Sequence, residues 1–438
     1  MLQTAKEKEM KQYLAAFADV EPQRAAAPAW LKQLRAAAIA QFERFGFPTT
    51  RNEEWKYTNV APLLKHEFRV ATTTPTAVNI DCFTYPEARQ SQLVFVNGVF
   101  APALSNVAAL PAGVTVVNFA DADQKRLSQS LATQLDYQHD AFTALNTAFA
   151  NDGAFVFIPR GKAVAAPIHL LFLTTEANVI SHPCLVVVAE EGSIATLIES
   201  YVALSDEAVY CTNAVAEIIV QPHAHLTHYR LQQESMNAFH IATTQVQQAS
   251  QSVYASYAIS LGSDIARHTL NVKLDGEHVE STIDGLYVVT GKQHADNHTT
   301  IDHAQPHSHS HQLYKGILDE KGRAVFNGKV LVREGALLTD ARQLNKNLLL
   351  SANAHIDTKP QLEIYADDVK CAHGATVGQL EEDELFYLRS RGLTPETARA
   401  LLTYGFAEDV ISKIKVDSVR KQLDETVLTR LHQNLDVK

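Results

Sequence analysis

The sequence predicts a mainly β protein, a long β body held between two helical ends. Three observations carry this. From about residue 155 to 377, short β-branched runs recur with a period of two and are broken by Gly, Asp, Asn and Ser. The first fifty residues and the stretch after Gly378 instead space their apolar residues as helices do. The body itself holds almost no helical pattern.

Lys11 to Ala18 and Ala29 to Phe45 are rich in Ala, Leu, Gln, Lys and Arg, all good helix formers. Gly46 and Pro48 stop the second helix. A polar stretch with two large aromatics follows, Arg51-Asn-Glu-Glu-Trp-Lys-Tyr-Thr58, and Thr72 to Thr76 reads as a linker. Leu93 to Val96 and Val114 to Val117 are short strands, and Ala122 to Phe149 reads as helix. In the body, Val253 to Leu261 places apolar residues at every odd position. Leu270, Val272 and Leu274 form one strand face, and Ala324, Phe326, Gly328, Val330 and Val332 form another. Such a run is compatible with a large sandwich, a barrel or a β-solenoid, and no strict six- or nine-residue repeat selects among them. Beyond Gly378, Glu381 to Arg391 is a helix stopped by Gly392. Thr394-Pro-Glu396 opens another with a capping hydroxyl and a first-turn proline. Val410, Ile411, Ile414, Leu423, Val427, Leu431 and Leu435 continue helical spacing, with breaks between 415 and 418. The domains expected are 1–150, 151–378 and 379–438.

The chain has 438 residues and a formal net charge of −11, which argues against a nucleic-acid binder. Its four cysteines, at 82, 184, 211 and 371, form neither a disulfide framework nor a zinc ribbon. Reduced thiols, a charged N-terminus without an apolar core and no membrane-length apolar run give the expectation of a soluble cytoplasmic protein. There is no phosphate loop; Lys162, Lys292 and Lys329 follow glycines but lack its other elements. There is no Gly-x-Gly-x-x-Gly, no Gly-x-Ser-x-Gly and no His-Glu-x-x-His. These absences speak against an NTPase, dehydrogenase, hydrolase or zinc protease.

Cys371-Ala372-His373 is the main chemical candidate. In a strand, residues i and i+2 point to one side, so a thiol and an imidazole face one ligand together. Both suit zinc, copper or iron–sulfur species. Two ligands do not close a four-coordinate site, so the others come from elsewhere. Lys370 points to the opposite face and does not activate the thiol. His294, His298, His303, His307, His309 and His311 form a second candidate, with His307, His309 and His311 on one face if extended. His223 and His225 share that geometry. Asp367-Asp368 is either an acid–base pair or a turn. These leave two further readings open: a β-helix enzyme acting on polysaccharide through Asp367 and Asp368, and an autonomous metal-binding protein using the 294–311 histidines.

The run Asp357 to Gly378, with Leu385-Phe-Tyr-Leu-Arg-Ser-Arg-Gly392, strongly resembles the SufB/SufD family of the SUF iron–sulfur assembly system. The Cys-Ala-His-Gly-Ala-Thr-Val-Gly context is that of the SufD branch. Arg51 to Thr58, Gly322-Arg-Ala-Val-Phe-Asn-Gly328 and Asn347-Leu-Leu-Leu350 fit as well. The resemblance runs from about residue 50 to about 410 and is most specific over 320–392. It implies a right-handed parallel β-helix core flanked by helical N-terminal and C-terminal domains. It implies a non-catalytic scaffold subunit of a SufBCD complex that pairs with a SufB-like paralogue and docks a SufC-like ATPase on residues 379–438. ATP hydrolysis then belongs to the partner, and no nucleotide binds this chain. It implies a transient iron–sulfur cluster at the paralogue interface, where the family's histidine carries over onto His373, with Cys371 in the same motif. The resemblance also implies passing contacts with the system's sulfur-delivery proteins, leaves open a dimer of like chains when the paralogue is missing, and involves neither nucleic acid nor membrane. The histidines at 294–311 are no hallmark of that family.

Overall fold

The computed structural model describes residues 2–24, 26–71, 78–150 and 152–432. The linker expected at Thr72 to Thr76, and Leu435, lie outside the described residues. Seven helices are described: α1 (Leu2–Val20), α2 (Ala29–Phe45), α3 (Gln124–Ser130), α4 (Ala141–Phe149), α5 (Glu382–Ser390), α6 (Pro395–Ile411) and α7 (Asp417–His432). In α2, Leu31, Arg35, Ala38 and Phe42 are buried, a stripe at helical spacing. Phe42 meets Tyr13 of α1 and Phe47 edge-on, with ring centroids 6.1 and 5.1 Å apart.

The single helix expected over 122–149 is two. Asp123 caps α3 by accepting the N–H groups of Lys125 and Arg126, and Asp140 caps α4 by accepting that of Thr143. Ala132, between them, is left-handed at φ 57°. The buried Glu217 of the β body accepts the backbone N–H groups of Ala132, Thr133 and Gln134 at 2.7, 2.9 and 2.5 Å, which pins the break to the sheet.

The body is a parallel β-solenoid. Successive long strands alternate between two sheets, so each turn of the chain adds one strand to each. From the first long rung onward, one sheet runs Cys211–Val220, Phe239–Gln248, Ile265–Leu274, His294–His303, Arg323–Val332 and His355–Ile364. The other runs Ile194–Ala203, His225–Gln233, Val253–Ser260, Glu280–Val289, His309–Leu318, Thr339–Leu349 and Val369–Gly378. Gln92–Val96 joins the second sheet in parallel, and Thr115–Asn118 closes the first in antiparallel. Val215, Thr243, Thr269, His298, Asn327 and Lys359 stack in one column at uneven chain spacing. Corner loops of variable length therefore carry the repeat, which explains the absence of a fixed sequence period.

Leu270, Val272, Leu274, Ala324 and Phe326 lie in the lumen core. Two lumen glycines are required by close approach. A Cβ on Gly285 would lie 2.4 Å from the Tyr314 ring, and one on Gly316 would lie 2.2 Å from the Tyr287 ring. Each glycine is the register partner of the tyrosine it accommodates.

Val253–Ser260 inverts the simple reading of its alternation. Tyr254 on the even face fills the lumen, while Tyr257, Ile259 and Leu261 on the odd face look outward. They are covered by α6 and α7 through Val410, Ile411, Ile414, Leu423 and Val427. Each such side chain contributes about 1.5–3 kcal/mol on burial. Polar contacts fix the orientation. Lys413 pairs with Asp284 at 2.7 Å, Lys315 pairs with Asp409 at 2.5 Å, and Tyr229 Oη accepts the Lys415 N–H at 2.9 Å. Thr394 caps α6 as its sequence predicts. Among the described residues, no helix is long and apolar enough to cross a membrane.

Candidate functional site

Val369–Gly378 ends its sheet and is paired on one side only, to Thr339–Leu349. In-register parallel pairing gives stacked residues the same direction. Cys371 stacks on Ala341 and His373 on Gln343, both fully buried lumen residues. Cys371 and His373 therefore continue two lumen columns onto the last rung, on one face, as the spacing predicts. Cys371 is half-buried and His373 exposed. Burial pushes the Cys371 thiol up, against the hydrogen bond from the Ala341 backbone and with the help of Asp340. Lys370 stacks on Asp340 on the other face.

Around this end lie apolar side chains that a buried core would normally cover. Leu344, Ile364, Tyr365 and Val377 are exposed, as are Phe386 and Tyr387 of α5. Of α5, Leu385 is the one buried residue. Asp367 and Asp368 are both exposed in the bend between the last two strands, where the Asp368 carbonyl accepts the Leu338 N–H at 2.6 Å. They occupy a turn, as aspartate favours. Among the described residues, no three His, Cys, Asp or Glu are placed to hold a metal ion. A thiol and an imidazole at an open end can supply two ligands to a species whose other ligands belong to another chain.

The histidines at 294–311 do not converge. His307 is left-handed at φ 61° in a corner and stacks on His278 at 4.8 Å, so it does not align with His309 and His311 on the following strand. His303 points into the lumen and bonds Ser310 Oγ at 2.8 Å. His309 and His311 are exposed on the second sheet, and His223 and His225 are exposed at a corner and a strand start.

His294 and His298 face outward on the first sheet and are covered by the segment 51–58. Thr58 Oγ1 donates to Asp296 at 2.5 Å and accepts from His294 Nε2 at 2.8 Å. Glu54 lies 3.3 Å from His298, and Lys359 pairs with Glu53 at 3.0 Å. Trp55 is buried with the Arg267 guanidinium 4.0 Å from its ring centroid. Burial alone would raise the Asp296 carboxyl, but Arg267 and His298 beside it hold it far below the usual range. Burial pulls the His298 imidazole down, yet Asp296 and the bond to Glu54 outweigh it and raise it. The segment thus clamps three rungs of the first sheet, Ile265–Leu274, His294–His303 and His355–Ile364.

Both regions lie within matches to known proteins that span most of the chain. The family model described as "SUF system FeS cluster assembly, SufBD core domain" matches residues 172–406, and "SufBD protein N-terminal region" matches residues 7–170. The chain belongs to the SufBD family of the SUF iron–sulfur cluster assembly system. An iron–sulfur cluster assembly SufBD family protein of Synechocystis is 41% identical over 399 residues, covering 87% of each chain. The iron–sulfur cluster assembly protein SufD of Escherichia coli is 34% identical over 404 residues, covering 91% of each. SufD of Bacillus subtilis is 26% identical over 426 residues, covering 94% of this chain and 96% of its own.

In this SufBD chain the sequence reading missed a charged network inside the solenoid. Glu199 lies 2.7 Å from His228, and Glu234 lies 2.6 Å from His240. Arg230 contacts His240 and lies 5.2 Å from the Tyr201 ring centroid. All are buried, and pairing is how buried charge is tolerated. The signal was present in the alternation of His228, Arg230, Gln232 and Glu234 with apolar Tyr229 and Leu231. Read by the usual rule, that pattern puts the charges outside. Coverage of the outer face by α6 and α7 reverses it.

Proposed function

We propose that this chain is a non-catalytic scaffold subunit of iron–sulfur cluster assembly. It offers one side of an interfacial site where iron and sulfide are joined, with His373 as a ligand to the nascent cluster and Cys371 beside it. The observation that carries this reading is the place of the pair: one face, last rung, unpaired strand edge, with exposed apolar residues around it. A chain of like construction, a SufB-like paralogue, would cap the open end and complete the ligand set. Exposed apolar side chains gathered near one end of a fold are a feature of interaction sites. The aromatics of α5 would receive a SufC-like ATPase, which supplies the nucleotide chemistry absent from this sequence, and sulfur-delivery proteins would meet the complex in passing. The assembly would work in the cytoplasm.

The test is co-expression with the paralogue and the ATPase, anaerobic purification, and measurement of iron, sulfide and ATPase activity. His373→Ala is expected to leave the complex assembled and to slow cluster formation by at least about tenfold, the loss of one ligand of a metal site. Normal cluster formation in an assembled His373→Ala complex rejects the site. Failure of the wild-type chain to join the complex rejects the scaffold reading itself.

A further inference from the structure

A cavity of about 170 Å³ lies where the end of α1 and the turn after it meet the first solenoid strands. Arg24, Phe149, Asp152 and His182 line it, with Val20 and Ile180 as apolar wall. It is smaller than the roughly 300–1,000 Å³ of sites for drug-sized ligands, so its occupant is small.

Arg35, fully buried, pairs with Glu21 at 2.9 Å. Arg24 sits beside this pair, and among the described residues no carboxylate forms an ion pair with it. Burial and the like charge of Arg35 pull its guanidinium down to about 10, against the opposing effect of Glu21. Its Nη1 is buried and has no hydrogen-bond partner among the described residues. The guanidinium carbon is 6.0 Å from the Phe149 ring centroid, and that ring stacks on His182 at 4.7 Å.

His182 is 7% exposed. Its Nδ1 lies 3.3 Å from Asn213 Nδ2; an amide nitrogen only donates, so Nδ1 accepts and the proton sits on Nε2. Burial, with the charge of Arg24, pushes the imidazole down to about 3, so it is neutral at pH 7. Nε2 also lacks a partner among the described residues. On Asp152, Oδ2 accepts the Phe100 N–H at 2.7 Å while Oδ1 is buried and, among the described residues, unpaired.

Buried polar atoms are ordinarily paired. Three unpaired atoms, two donors and one acceptor, belong to residues around one cavity. A bare anion satisfies the donors and leaves Asp152 facing like charge. A molecule with a carboxylate and an ammonium group satisfies all three. We infer that this cavity binds a small zwitterion of the α-amino-acid class, its carboxylate on Arg24 and His182 and its ammonium on Asp152. The inference is independent of the proposed assembly site.

The test is calorimetric titration of the full chain with L-alanine, sodium acetate and inorganic phosphate at pH 7.5 and constant ionic strength. L-Alanine is expected to bind saturably, with acetate and phosphate at least about tenfold weaker, the scale of one charge-assisted hydrogen bond. Arg24→Gln abolishes alanine binding, and Asp152→Asn brings alanine down to the level of acetate. Circular dichroism checks folding. If Arg24→Gln does not fold, Arg24→Lys, which keeps the charge but loses the forked geometry, is expected to weaken alanine binding in its place. No saturable binding of alanine, phosphate bound as tightly as alanine, or alanine affinity unchanged on substituting Arg24 overturns the inference.

Discussion

His373 stands directly over Gln343 in the register of the last two strands of the second sheet, yet Gln343 is fully buried and His373 is exposed. Gln343 donates to Gln312 at 2.8 Å, one rung further in. The column is continued at one end and open at the other, so a single step along the solenoid separates core from surface.

This step separates stability from function. His373→Ala should change the chain's own unfolding free energy by no more than about 0.5 kcal/mol, the surface range. Gln343→Ala, which removes the donor to Gln312 Oε1 in the lumen, should cost about 1–3 kcal/mol. Urea unfolding of the isolated variants checks both. A loss of cluster assembly in His373→Ala then reports on the site rather than on the fold.

The four thiols should react in a fixed order. Cys82 is exposed, Cys371 is half-buried with its thiol raised, and Cys184 and Cys211 are buried with theirs raised further by burial. The thiolate is the reactive form. Iodoacetamide at pH 7.5, followed by mass spectrometry, should label Cys82 first and Cys371 slowly. Cys184 and Cys211 should be labelled only on unfolding. Capping of the open end by a partner should protect Cys371 and leave Cys82 unchanged.

The clamp of segment 51–58 should depend on pH with a maximum. His298 is raised in the folded chain, so its contribution is complete below its unfolded value of about 6.5 and is lost as pH rises through the folded one. Asp296 and Glu54 are lowered, Glu54 chiefly by its bond to His298. Their contributions are present above about 3.9 and 4.3 and are lost as pH falls through the folded values. His294, bonded to Thr58, is lowered by burial, so packing also weakens as pH falls below about 6.5 through its folded value, and the tightest packing is expected from about pH 6.5 towards the raised His298 value. Hydrogen exchange of the Trp55 segment across pH 4 to 9 checks this, and in His298→Gln the loss at high pH should vanish.

Lys413→Met should loosen the C-terminal helices. It leaves Asp284, a fully buried carboxylate, without its partner at 2.7 Å, a loss of up to about 3 kcal/mol. Limited proteolysis should then cut between α6 and α7. Asp284→Asn, which removes the stranded charge, should restore part of the resistance.

Legibility in the sequence followed the range of the interaction. Cap residues spoke plainly where they act locally, as Thr394 does for α6. The break between α3 and α4 was missed because Glu217, far along the chain, creates it. Cys371 and His373 were placed on one face correctly because a strand's period is local. The strand from His225 to Gln233 was harder: alternation reveals two faces without saying which one is inside. The 294–311 histidines looked like one cluster because they are close in sequence, but corner geometry at His307 and strand alternation send them to different surfaces.

The sequence by itself determined the order of elements, the mainly β body, the missing nucleotide motifs and the Cys371–His373 pair. Local backbone preference and side-chain period suffice for these. Residue periodicity left the body open between sandwich, barrel and solenoid, and it was the family resemblance of its motifs that pointed to the parallel β-helix; only the tertiary structure decided that α6 and α7 cover its second sheet and so turn His228, Arg230 and Glu234 inward, and that His373 ends an open lumen column. Those depend on which distant strands pair and in what register. Pairing energy is set by side chains that meet only once the chain has coiled.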